Sequence, residues 1–68
     1  MRANLKVAAG GYAEFRLRDA ATGAPLPGYE KRFEAVDTVS QPIFEQLPAT
    51  PFQVECAMKN GKLYTLDF

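Results

Sequence analysis

Cys56 is the only thiol in this 68-residue sequence, and eight carboxylates and three tyrosines are its other groups with chemistry of their own; histidine and tryptophan are absent. A cysteine nucleophile needs a neighbouring base to hold it as thiolate at neutral pH. With no imidazole to serve, Cys56 reads as a buried structural thiol. The same count excludes disulfides within the chain and the Cys/His clusters that hold zinc. Glu30 and Glu34 would meet on a helix, but a glycosidase-type acid pair works across a cleft, which a chain this short scarcely forms; they read as solvated surface. Gly10-Gly11 lacks the further glycine and lysine spacing of a phosphate loop. The expectation is a chain with no catalytic residue, no cofactor and no metal site: a protein that is not an enzyme.

Binding chemistry is better represented. Tyr12, Arg16 and Arg18 alternate along one stretch, and an aromatic flanked by arginines suits the stacking face of a small nucleic-acid-binding barrel. Glu14 sits among them, however, and eight Lys+Arg balance eight Asp+Glu, so no net field draws the chain toward phosphate or anionic lipid. Tyr12 and Tyr29 are the candidate flat platforms for a sugar ring.

These residues must be positioned by a very small fold. A chain near this length buries only about 60% of the surface its unfolded form exposes, and such domains usually lean on a disulfide, a metal or a partner. Self-association is the reinforcement most easily reconciled with the composition. The start, Met1-Arg-Ala-Asn-Leu-Lys-Val7, has no apolar run of signal-peptide length, and nothing approaches a membrane span. A free cysteine suits a reducing compartment, so the expected setting is soluble and cytoplasmic rather than secreted, without membrane contact.

Apolar residues recur mostly at a period of two, the strand period. Ala3, Leu5 and Val7 alternate with Asn4, Lys6 and Ala8, Gly10-Gly11 breaks the run and suggests a hairpin, and Ala13, Phe15 and Leu17 then face away from Tyr12, Glu14, Arg16 and Arg18. Asp19 to Gly28 supplies a turn: Asp19 and Thr22 can accept from nearby backbone N–H groups, and Gly23 tolerates positive φ. Pro25 and Pro27 confine Ala24 to Gly28 to a sheet edge or an extended crossing. In Tyr29 to Val39 the residues Tyr29, Lys31, Phe33 and Ala35 alternate as in a strand, while Glu30, Phe33, Glu34 and Asp37 also fit a single helical turn; strand is the preferred reading, and Ile43 to Leu47, between prolines, reads as a short extended or edge piece.

Asn60-Gly61 suits a two-residue type I′ turn, which predicts a hairpin of Phe52–Met58 and Lys62–Phe68. In that register Met58 faces Leu63, Cys56 faces Thr65 and Val54 faces Asp67. Phe52, Val54, Cys56, Met58 and Leu63 then share one face, while Tyr64, Leu66 and Phe68 lie together on the other as candidate interface residues. The expected core is Leu5, Val7, Ala13, Phe15, Leu17, Phe33, Phe52, Val54, Cys56, Met58 and Leu63.

Two stretches resemble known families. Residues 7–29, with the turn Asp19-Ala-Ala-Thr-Gly-Ala-Pro-Leu-Pro-Gly28, and residues 51–68, ending in Leu63-Tyr-Thr-Leu-Asp-Phe68, look like parts of the β-sandwich module appended to sialidase-like or family-32-like glycoside hydrolases. Between them that family carries a longer segment with a Gly-Asp turn and a tryptophan, and this chain has neither. Residues 19–28 alone are also similar to a turn of carboxypeptidase-regulatory-like β-sandwiches. Both likenesses imply a sandwich-like antiparallel fold, and neither carries a catalytic residue onto this sequence.

The resulting expectation is a single all-β domain over residues 1–68, a small antiparallel sandwich or open barrel of five or six strands. Its expected role is a non-catalytic interaction module docking through an apolar and aromatic sheet face onto a second copy or a larger protein. A carbohydrate-binding accessory module is the alternative, and a small nucleic-acid-binding barrel a more distant one.

Overall fold

The alternation that starts at Ala3 resumes after the Gly-Gly pair, and the backbone carries it in one strand. In a computed structural model describing the whole chain, Met1–Phe68, this is β1 (Arg2–Asp19), followed by β2 (Pro25–Phe33), β3 (Asp37–Pro42) and β4 (Phe52–Asp67). There is no helix. All pairing is antiparallel and all of it is to β1. β4 runs along one edge of β1 from Asp19↔Phe52 to Arg2↔Asp67. β2 and β3 follow each other along the opposite edge, at Ala13–Arg18 and Arg2–Lys6 respectively. The sheet is not closed, since neither β4 nor the β2–β3 line has a partner beyond β1.

Drawn straight, an 18-residue strand would measure about 60 Å, yet the molecule's longest dimension is 35 Å. The sheet is bent, and the residues that bend it line up across its strands. Val7 pairs with Gly61 and Tyr12 with Lys59, so Ala8 to Gly11 stand opposite Asn60 alone. Gly10 takes φ 83° and Asn60 φ 52°, conformations that glycine and asparagine tolerate best. A Cβ on Gly11 would run into the Lys59 carbonyl oxygen and come within 2.9 Å of the Asn60 Cβ. On the other side, the break between β2 and β3 holds Ala35 at φ 49°, with the Val7 N–H donating to the Val36 carbonyl at 2.6 Å.

Bending brings the inner faces of the two halves together. Ala3, Leu5 and Val7 from one half share a single buried cluster with Ala13, Phe15 and Leu17 from the other, joined by Ile43 and Phe44. The two ends of β4 meet, with the Phe52 and Phe68 rings 6.2 Å apart.

Several expectations change in this light. Four strands, two of them long, replace five or six, because both predicted hairpins are bends instead. Asn60 uses its left-handed conformation to kink β4, and the whole of β4 pairs with β1. Val54 therefore lies opposite Leu17, Cys56 opposite Phe15 and Met58 opposite Ala13, in place of Asp67, Thr65 and Leu63. Ile43–Leu47 belongs to no strand; Ile43 and Phe44 are buried instead, with the Ile43 N–H donating to the Met1 carbonyl at 2.9 Å. Of the expected core, Leu5, Val7, Ala13, Phe15 and Leu17 are buried, whereas Phe33, Phe52, Val54, Met58 and Leu63 are half-buried and Cys56 is exposed. Those β4 side chains reach the inner face, but an edge strand has a neighbour on one side only.

The turn after β1 forms as its residues predict. The Asp19 carboxylate accepts from the Ala21 and Thr22 N–H groups at 2.8 and 3.0 Å, Thr22 Oγ1 accepts from the Ala24 N–H at 3.2 Å, and Gly23 takes φ 75°. Pro25 and Pro27 lie on the edge strand β2, where a missing ladder donor costs least.

Candidate interaction surface

The outer face of the second half of the sheet is a ladder of paired charges. Arg18 Nε donates to Glu55 at 2.8 Å and Arg16 Nη1 to the same carboxylate at 3.5 Å, while Arg16 Nε lies 3.2 Å from Glu30. Arg32 donates to Glu34 at 3.0 Å and also to Glu14, and its guanidinium sits 4.3 Å above the centre of the Tyr12 ring. Glu30 and Glu34, on and beside a strand and not a helix, thus serve different arginines. Arg16, Arg18 and Arg32 are met by four glutamates, which leaves this face little positive charge with which to hold a phosphate backbone.

The two tyrosines named as sugar platforms lie on different faces. Tyr12 is on the outer face under Arg32, and Tyr29 packs toward the core, edge-on to Phe44 with ring centres 5.5 Å apart. Tyr29 also lines an open groove of about 740 Å³ with Phe33, Ile43, Phe44, Lys31 and Glu45. The expectation of a buried Cys56 is overturned: β4 is an edge strand, and the thiol is exposed on it. Partial desolvation nevertheless pushes its pKa above the usual thiol value, which keeps it protonated at neutral pH. No three carboxylate or thiol groups gather closely enough to hold a metal ion.

Tyr64, Leu66 and Phe68 do not share a face. Asn4 pairs with Thr65 and Leu5 with Leu63, so Tyr64 is the extra residue of a bulge and stands 57% exposed. The bulge resets the alternation, and Leu66, opposite Ala3, is half-buried against the core. Phe68 lies just past the strand, 71% exposed, leaning on Phe52.

No family model, characterised protein or solved structure matches this chain.

The site is therefore defined by its own geometry, and its chief feature is the free edge of β4, a strand in which no residue is fully buried. Exposed strand edges invite another strand, and folded proteins guard them with prolines, charges and bulges. The β2–β3 edge is guarded throughout: β2 has Pro25, Pro27, Glu30, Lys31 and Arg32, and the six-residue β3 has a register shift and ends at Pro42. The far half of β4 has Lys62, the Tyr64 bulge and Asp67. Phe52–Met58 has none of these devices except Glu55. Its pairing with β1 is regular, and its inner-facing side chains are Phe52, Val54, Cys56 and Met58. No helix of the structure is long and apolar enough to cross a membrane.

Two carboxylates near this edge make stability depend on pH. Hydrogen bonds from the Thr22 and Ala21 N–H groups hold Asp19 below its ordinary pKa, and the hydrogen bond from Arg18, reinforced by the charges of Arg18 and Arg16, does the same for Glu55. A lowered folded pKa means the unfolded chain binds more protons, so the stabilisation is complete above the unfolded pKa and lost as pH falls through the folded one. Thermal midpoints measured across pH should be level near neutrality and decline below about pH 4, the ordinary carboxylate range. In the Asp19→Asn, Glu55→Gln double variant that decline should be shallower.

Proposed function

We propose that the protein is a non-catalytic interaction module that associates with a second copy of itself, or docks on a larger protein, through β4. One observation carries this reading: Phe52–Met58 is the only long stretch of sheet edge without proline, bulge or dense charge, and it leaves an apolar row half-exposed. Tyr64 and Phe68 add exposed aromatic surface at the far end of the same strand, and aromatic side chains favour interfaces. Leu66 serves the core more than contact. A second copy on this edge would extend the bent four-stranded sheet toward a fuller sandwich or barrel and cover the half-buried side chains of an otherwise thin core. The likeness of residues 7–29 and 51–68 to accessory sandwich modules fits a supporting rather than a catalytic role.

Light scattering over a dilution series tests this. The mass should rise from the 7.5 kDa of one chain toward twice that value as concentration increases. A constant single-chain mass at every concentration, together with no protein retained from the native source, would remove the reading.

A further inference from the structure

The edge also fixes how a second copy can sit on it. If β4 pairs with its own copy across a two-fold axis normal to the sheet, the strands run antiparallel, the inner faces stay on one side, and the axis passes midway between one residue and its own copy. For at least seven residues to pair between Phe52 and the bend at Asn60, that residue is Glu55, Cys56 or Ala57.

Centring on Glu55 sets two like charges directly opposite each other, which is destabilising. Centring on Cys56 puts Glu55 opposite Ala57 and Lys59 opposite Gln53, so neither charge finds its complement. Centring on Ala57 places Glu55 opposite the partner's Lys59, twice by symmetry, on the outer face. The small Ala57 side chains meet at the axis, Cys56 packs against the partner's Met58 on the inner face, and pairing stops where Asn60-Gly61 bends the strand. Only this register sets Glu55 against an opposite charge.

We propose that two copies of this chain join β4 to β4 antiparallel about Ala57, held by reciprocal Glu55–Lys59 and Cys56–Met58 pairs. This rests on the self-association proposed above and specifies its geometry. Val54–Asn60 supplies the paired segment, and the Glu55 carboxylate, already bonded to Arg18 on the β1 side, adds the partner's Lys59 on the free-edge side.

Two substitutions test the register. Lys59→Glu sets Glu55 against a second carboxylate at two places and should weaken the dimer about tenfold, roughly 1.4 kcal/mol, with the circular dichroism of the single chain unchanged. Met58→Cys puts a thiol directly opposite the partner's Cys56, and mild oxidation should link the copies covalently. The unsubstituted protein should not cross-link, because its two Cys56 residues would lie offset by two positions, about 8 Å apart between Cα atoms, beyond disulfide reach. A dimer that cross-links through Cys56 alone, or that fails to cross-link as Met58→Cys, overturns the register but leaves self-association standing. A chain that is monomeric at every concentration overturns both.

Discussion

Gly11→Val is expected to cost about 3 kcal/mol or more, the upper end of overpacking penalties, and to leave much of the chain unfolded at room temperature. Total stability for a chain of this length is only about 3–10 kcal/mol. A Cβ at this position meets the Lys59 carbonyl and the Asn60 side chain, both on the strand directly alongside, so relief requires β1 and β4 to part at the bend. That separation would pull apart the two halves whose inner faces make the only buried cluster. Gly10→Asn is the control. Gly10 has φ 83° but open space where a side chain would go, and asparagine is among the residues best able to occupy such a backbone; its cost should stay under about 1 kcal/mol, the scale of conformational rather than steric effects. Urea unfolding followed by circular dichroism measures both. A Gly11→Val midpoint equal to that of the unsubstituted protein would mean that the bend does not depend on close approach at Gly11.

The bend also marks where the sequence stopped being legible. The period-two alternation identified β1's buried face from Leu5 to Leu17, and the Asp19–Gly28 turn chemistry was legible because its hydrogen bonds are local. Gly10-Gly11 and Asn60-Gly61 are signals of positive φ and of absent side chains, which a tight hairpin and a kinked continuous strand use alike. Only long-range pairing distinguishes the two, and the pairing of Val54 with Leu17 is not encoded in either segment alone. Reading Asn60-Gly61 as a hairpin paired β4 with itself and hid the fact that β1 has neighbours on both edges. Burial of Ile43 and Phe44 was obscured for a related reason: between prolines they have no periodicity, and their position over the core depends on the path from β3 to β4.

The candidate surface was legible in its location near the C-terminal segment but not in its residues. Strict alternation placed Leu66 on the face opposite Leu63; the bulge at Tyr64 puts both toward the core, and no local sequence feature marks a bulge at that tyrosine. The alternation of Phe52, Val54, Cys56 and Met58 gives Cys56 the core-side face, and β4 does turn it that way, opposite Phe15. Its exposure follows from its place on an unpartnered edge, a property of strand order. Conversely, the pairing of Arg16, Arg18 and Arg32 with glutamates needed β2 and β4 on either side of β1, which the composition suggested only as a zero net charge.

Phe15→Ala should cost about 3–5 kcal/mol, the range for removing a buried aromatic ring. Phe15 is 1% exposed, lies at the middle of the inner face, and meets Phe33 edge-on with ring centres 6.1 Å apart. Its neighbours across the sheet are Lys31 and Cys56, neither of which can refill the space with a second ring, so the cavity should persist. Phe68→Ala, which removes a largely exposed ring, should cost less than about 1 kcal/mol, most of it contact with Phe52. The Phe15 variant also bears on association. A ligand that binds only the folded state raises apparent stability with its concentration, and for a self-associating chain that ligand is the protein. Phe15→Ala should therefore be mostly unfolded when dilute and regain β-sheet circular dichroism when concentrated. The same variant carrying Lys59→Glu should regain less at each concentration, because weaker pairing at the β4 edge returns less stability to the damaged core.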